Sequence, residues 1–221
     1  MKQRVKIERI PWPLTPSYEK AARMVIESYY GPMAETILSS LPKGIVLDLG
    51  TGPGYLPIEM MKRSQSIKVV GIDLSRRLIH MARANASKAG LSDRLSFEVG
   101  NAAGLRFEDS SFDMVISTGM LHSLKDPVKV FQEIYRVLKK GAEAWIYDPA
   151  QIASQIDMKE WKNMLTFSDR FYLRLFTVLK LSSPSIKPYK RSQVVDMIEA
   201  TDFKEYWIEK NKGEMKIRLR R

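Results

Sequence analysis

The run Asp48-Leu49-Gly50-Thr51-Gly52-Pro53-Gly54 sets one carboxylate ahead of three glycines at alternate positions. The β-favouring residues Ile45-Val46-Leu47 lead into it, and a helix-competent stretch follows. A strand, tight turn and helix of this kind bring backbone N–H groups and a helix N-terminus up to a ligand with no side chains in the way. The spacing separates it from two phosphate cradles. A dinucleotide fingerprint reads G-x-G-x-x-G, and a P-loop needs Lys-Ser/Thr after its last glycine. Here the pattern is D-x-G-x-G-x-G with no Lys near the turn, and Asp48 repels a pyrophosphate. A carboxylate at that place suits a positively charged ligand group, such as an amino-acid ammonium or a sulfonium.

The elements that must position this turn follow from periodicity. Residues 1–15, with Pro11 and Pro13, read as an extended arm, with Pro16 just beyond. A helix is expected from Ser17 on the spacing of Tyr18, Ala21, Ala22, Val25, Ile26 and Tyr29, broken by Gly31-Pro32, with a second over Met33 to Leu41. Strands are expected at Ile45 to Leu49, Ile67 to Asp73, Leu95 to Val99, Phe112 to Ser117 and Ala142 to Tyr147. Between them lie a helix after the glycines with Pro57 in its first turn, one capped by Ser75 and stopped by Gly90, and one from Asp126-Pro127 to Gly141. After Asp148 the alternation stops. A helix is expected from Lys159 to about Lys180, then one capped by Ser192, and strands at Phe203 to Glu209 and Glu214 to Leu219 form a terminal hairpin. Five strands alternating with helices argue for a parallel sheet covered on both faces, which binds ligands beyond the carboxyl ends of its strands. Asp48, Asp73, Asn101 and Thr118 all fall at or just past such ends, so four polar residues converge on one edge.

The order and spacing of several segments resemble the cofactor-binding core of the type 11 class I S-adenosylmethionine-dependent methyltransferases. The segments are Val46 to Gly54, Gly71-Ile72-Asp73-Leu74-Ser75, Leu105 to Asp113, Leu121-His122-Ser123-Leu124-Lys125-Asp126-Pro127 and Arg136 to Gly141. The resemblance implies a Rossmann-like α/β fold: a seven-stranded, mostly parallel sheet with helices on both faces and an antiparallel terminal hairpin. It implies S-adenosylmethionine as cofactor and S-adenosylhomocysteine as product. Gly50, Thr51, Gly52 and Gly54 would lie against the methionine and ribose part, and Asp48 would face the ammonium. Asp73, beside Leu74, would accept both ribose hydroxyls, a bidentate task suited to a carboxylate; its alternative is a cap on the next helix. Asn101 departs from the family pattern, which has Asp accepting from the adenine amine; Asn accepts through its amide oxygen with less charge assistance. Ala102 would give a backbone N–H to adenine, and Thr118 would lie beside the methionine moiety. Tyr18 resembles the aromatic residue of a lid helix, with core packing as its alternative. His122, in the loop after the fourth strand, is the candidate general base, with fixing the loop as its alternative.

Composition narrows the rest. The 221 residues fit one domain: an arm and lid helices over 1–43, the cofactor core over 44–150, a helical acceptor cover over 151–191, and a closing helix and strands over 192–221. There is no cysteine, so disulfides, thiolate metal sites and cysteine nucleophiles are excluded; His80 and His122 are too few for a histidine metal cluster. No window approaches eighteen apolar residues and the start lacks a signal-like apolar core, so a cytoplasmic protein without a membrane span is expected. The net charge of +11 is uneven. Residues 44–150 hold fourteen basic against twelve acidic residues, and residues 151–191 hold eight against three. With Trp161, Arg170, Phe171, Tyr172, Arg174 and Lys180, the cover suggests a small apolar, aromatic or anionic acceptor. An ordinary packing helix and a peripheral membrane contact stay open for it. An RNA methyltransferase, a thermophilic charge-rich surface and a non-catalytic cofactor sensor remain alternatives.

Overall fold

A computed structural model of the chain describes residues 29–148, 189–211 and 214–221. Tyr18, the expected helix from Ser17 and the expected cover helix from Lys159 lie outside them. The chain order is α1 (Gly31–Ser40), β1 (Gly44–Leu49), α2 (Tyr55–Arg63), β2 (Ile67–Asp73), α3 (Arg76–Lys88), β3 (Leu95–Val99), β4 (Phe112–Thr118), α4 (Pro127–Val137), β5 (Leu138–Asp148), α5 (Arg191–Glu199), β6 (Glu205–Asn211) and β7 (Glu214–Arg220). The seven strands make one sheet in the order β3-β2-β1-β4-β5-β7-β6. Strands β1 to β5 pair in parallel, and β7 enters antiparallel between β5 and β6. The order reverses between β1 and β4, where Leu49 stands opposite Ser117. A crevice therefore opens at the carboxyl ends of these two strands.

Most expected elements form where their periodicity puts them. Ser75 caps α3, its hydroxyl accepting from Leu78 N–H at 3.3 Å, and Leu78, Ile79, Ala82 and Ala86 are its buried face. Gly90 ends the helix with φ +68°, while Leu91 N–H reaches back to the Ala86 carbonyl. Gly31-Pro32 opens α1 instead of preceding it, because a proline in the first turn lacks only an N–H that would go unpaired there.

Three boundaries differ for physical reasons. Helix α4 stops at Val137, not Gly141: Leu138 is already extended and pairs with Phe112. The register then jumps to Met114 opposite Glu143, and Gly141 sits in that bulge, its N–H donating to the Arg221 carbonyl at 2.7 Å. Helix α5 is capped at Lys190, ahead of the expected Ser192, because Gln193 Oε1 takes the Lys190 N–H at 2.9 Å. Strand β6 begins at Glu205, two residues late, since Phe203 leaves the ladder to pack edge-on against Tyr135 at 5.0 Å.

Two apolar layers hold the sheet. On one face Val46, Met114, Ile116 and Trp145 pack with Ile37 of α1, Met60 and Met61 of α2, and Ile79 and Ala82 of α3. On the other, Leu47, Leu49, Val115 and Ile217 pack with Phe131 and Ile134 of α4 and Val194 and Ile198 of α5. Alternate residues of β1 thus enter opposite cores, which fixes its register and the place where Asp48 leaves the strand.

Candidate functional site: a cleft at the switch in strand order

The turn after β1 is held from below. Gly50 and Thr51 donate their N–H groups to the Ile72 carbonyl at 2.9 and 3.0 Å. Gly50, Gly52 and Gly54 all have positive φ, at 73°, 55° and 78°. Gly54 also lacks room for a side chain, since a Cβ there would stand 2.7 Å from Phe97 Cζ and 3.0 Å from Ala82 Cβ. The sequence pattern thus serves both backbone shape and the close approach of α2 to the sheet.

Two carboxylates flank the turn in different ways. Asp73, at the end of β2, accepts from Gly52 N–H through Oδ2 at 3.1 Å and from Ser75 N–H through Oδ1 at 2.8 Å. It therefore ties the glycine turn to the start of α3, and each oxygen keeps a lone pair. Burial raises its carboxyl above the ordinary value, and the two N–H bonds oppose the rise. Asp48 is 2% exposed, and neither its Oδ1 nor the Oγ1 of buried Thr51 has a hydrogen-bond partner among the described residues. Burial pushes the Asp48 carboxyl up to about 7. The Thr51 hydroxyl opposes the rise, and the charge of Asp73 adds to it.

The cleft above has a volume of about 130 Å³ and opens to solvent at its mouth. Seven expected site residues meet on its wall: Gly50, Gly52, Asp73, Leu74, Asn101, Ala102 and Thr118. Asp48 and Thr51 lie buried beneath it, and Gly54 is packed against Phe97. The Asn101 amide oxygen already accepts from Ala103 N–H at 3.0 Å, which shapes the loop and leaves one lone pair. Ile72, Leu78 and Val130 supply apolar wall.

His122 is in a 3-10 turn, Leu121–Ser123, between the wall residues Met120 and Ser123. Asp148, the last residue of β5, grips it twice: Oδ2 accepts from the His122 backbone N–H at 3.1 Å, and Oδ1 lies 2.8 Å from ring Nδ1. Asp148 is a residue that the sequence reading missed. The available signal was its place, a third acid at a strand's carboxyl end after Asp48 and Asp73.

A doubly wound sheet with an added antiparallel strand, an acid-glycine turn after β1 and an acid ending β2 defines the class I methyltransferase architecture. A family model described as a methyltransferase domain matches residues 41–213, and the chain belongs to this S-adenosylmethionine-dependent methyltransferase family. It is 33% identical to a demethylmenaquinone methyltransferase of Lactiplantibacillus plantarum over 59% of this chain and 56% of that one. It is 25% identical to a ubiquinone/menaquinone biosynthesis C-methyltransferase of Geotalea daltonii, over 65% and 63%. The matches thus span less than two thirds of these relatives' own lengths. A crystal structure from Methanococcus maripaludis, assigned to the S-adenosyl-L-methionine-dependent methyltransferases, superposes with a TM-score of 0.75, covering 100% of this chain and 97% of that one at 20% identity, and shares the fold.

The residues present fit this cofactor. Asp73 offers two acceptor oxygens at the wall for a diol, and the unpartnered Asp48 Oδ1 and Thr51 Oγ1 leave acceptor capacity under the glycine turn for an ammonium or a bridging water.

Proposed function

We propose that the protein transfers a methyl group from S-adenosylmethionine to a small-molecule acceptor of apolar, aromatic character. The observation that carries this reading is the convergence of Gly50, Gly52, Asp73, Asn101 and Ala102 on one cleft at the switch in strand order. Bound there, the cofactor supplies an activated methyl on a sulfonium. The chain's own contribution is placement: Asp73 would take the ribose hydroxyls, Ala102 and Asn101 would meet the adenine edge with Ile72 and Leu78 packed along it, and Thr118 and Gly50 would border the methionine end. Orientation of two reactants supplies much of the acceleration of such a displacement. The acceptor would approach beside the Met120 and Ser123 side of the cleft, next to the turn that carries His122. The naming of relatives for demethylmenaquinone and ubiquinone/menaquinone methylation supports an aromatic acceptor.

Titration calorimetry with S-adenosylmethionine tests the reading. The wild-type chain is expected to bind, and Asp73→Ala to weaken binding about 100-fold or more, since two hydrogen bonds to a charged group are lost. Absence of binding by the wild type overturns the proposal, and unchanged affinity in the variant removes the ribose assignment.

A further inference from the structure

The loop after β3 brings Gly100, Asn101, Ala102 and Ala103 onto the cleft wall, next to Asp73 at the end of β2. Gly100 N–H donates to the Asp73 carbonyl at 3.1 Å and ties the loop to that strand end. Both oxygens of Asn101 are used inside the loop. Its backbone carbonyl takes Gly104 N–H at 3.0 Å, and its amide Oδ1 takes Ala103 N–H at 3.0 Å. The second bond decides which way round the amide stands, because the reverse would set one donor against another. The NH2 is therefore the end that the loop leaves over, and it has no partner among the described residues. Ala102 N–H, in the same loop, has none either. Lys125, also on the wall, can add only donors. Apart from Asp73 the wall holds one carboxylate, Asp126, whose Oδ1 caps α4 on Lys129 N–H.

We propose that Asn101 is a specificity-determining residue that suits this end of the cleft to a 6-oxopurine, so that the deaminated, inosyl form of the cofactor's thioether product binds at least as tightly as the adenosyl form. This rests on the methyltransferase reading above and concerns the base of that same cofactor. With Asp73 taking the ribose diol, the base reaches the neighbouring loop, and Ile72 and Leu78 give its ring an apolar bed. The polar edge of the ring then has to match what the loop offers. On the edge made by position 6 and N7, adenine sets a donor beside an acceptor, whereas a 6-oxopurine has two acceptors, O6 and N7. Ala102 N–H serves N7 in either base. Asn101 NH2 meets the adenine amine as donor to donor, but meets O6 as donor to acceptor. A site that reads its ligand by hydrogen bonds discriminates through the groups a wrong partner leaves unpaired. Asn101 is exposed, so water relieves part of that cost and the expected preference is modest. An aspartate at this place reverses the match, since it keeps the Ala103 bond and turns an acceptor toward position 6.

Titration calorimetry at neutral pH with S-adenosylhomocysteine and S-inosylhomocysteine tests the assignment on the wild-type chain, with no variant having to fold. The inosyl compound is expected to bind about three- to fivefold more tightly, and equal affinity still supports the proposal. Tighter binding of the adenosyl compound overturns it. Asn101→Asp is expected to invert the order, the ratio of the two Kd values moving about tenfold or more toward the adenosyl compound. A ratio that keeps its wild-type value takes the preference away from Asn101 and overturns the assignment. A wild type that binds S-adenosylmethionine and S-adenosylhomocysteine but not the inosyl compound overturns the base preference alone. A wild type that binds none of the three overturns the methyltransferase reading itself, and the proposal with it.

Discussion

Asp48 and Asp148 are alike in place and opposite in state. Each lies at the carboxyl end of a central strand, and they are 2% and 3% exposed. Asp148 has both oxygens bonded to His122, whereas Asp48 keeps one oxygen, and Thr51 its hydroxyl, without a partner among the described residues. One is a finished contact and the other an unfinished one. A buried polar atom with no partner costs about 1–3 kcal/mol, which is tolerable where a ligand completes it. The glycine-turn side of the cleft, read above as the cofactor side, is thus built of backbone turns and unfilled acceptors. The end of β5 holds a side-chain pair already made.

The largest expected effect tests the unfinished half. Burial raises the folded-state value of Asp48 to about 7 from 3.8, so the folded chain binds more protons than the unfolded one between these values. The stability contributed by its neutral form is therefore lost as pH rises through about 7, a loss on the order of 4 kcal/mol across the whole window. Carboxyls with lowered values, such as Glu59, Asp113, Glu133 and Glu143, act with the opposite sign at more acid pH. Asp48→Asn should therefore reduce the fall in urea-unfolding stability between pH 5 and 8 in the cofactor-free protein, Asp73, also raised by burial, supplying part of what remains. Equal slopes for the two proteins would mean that Asp48 is not the strained member of the pair.

The backbone character of the cofactor side predicts the next effect. Gly54→Ala forces a Cβ into left-handed backbone within 2.7 Å of Phe97 and 3.0 Å of Ala82. Strain and overpacking together are expected to cost about 2–3 kcal/mol, read as a lowered urea midpoint. Cofactor affinity should drop as well, since Gly52 and Asp73 share the turn. A variant of wild-type stability would show that the turn can give way and that Gly54 is not fixed by packing.

The same contrast explains what was legible in the sequence. Glycines needing positive φ, a strand-ending acid and the apolar alternation of β1 are local patterns, so the cleft wall around Gly50, Gly52 and Asp73 was readable from spacing. The strands were readable for the same reason, β3 to the residue. The His122–Asp148 pair was not, because its partners stand 26 positions apart and meet only when β4 and β5 pair. The start of β5 was misjudged for a related reason. Leu138 to Lys140 continue a helical pattern, and only the bond to Phe112 and the bulge at Gly141 turn them into strand.

The smallest expected effect concerns Asn101, where a side chain does the work of a loop on the cofactor side. Its amide oxygen takes Ala103 N–H at 3.0 Å and so shapes the turn that presents Ala102. An aspartate can make the same bond, and its second oxygen adds a charged acceptor for the adenine amine, while an amide puts a donor there. A charge-assisted bond is about twice as strong as a neutral one. Asn101→Asp is therefore expected to tighten S-adenosylmethionine binding about three- to fivefold, a gain of about 1 kcal/mol. Asn101→Ala should weaken it by a similar factor through loss of the turn. Calorimetry on the wild type and the two variants separates the contributions. A gain in Asn101→Asp requires contact with the base, whereas unchanged affinity there with a loss in Asn101→Ala leaves the residue as loop geometry alone. The outcome decides whether the cofactor side is backbone throughout or holds one side-chain contact of the kind that defines the side opposite.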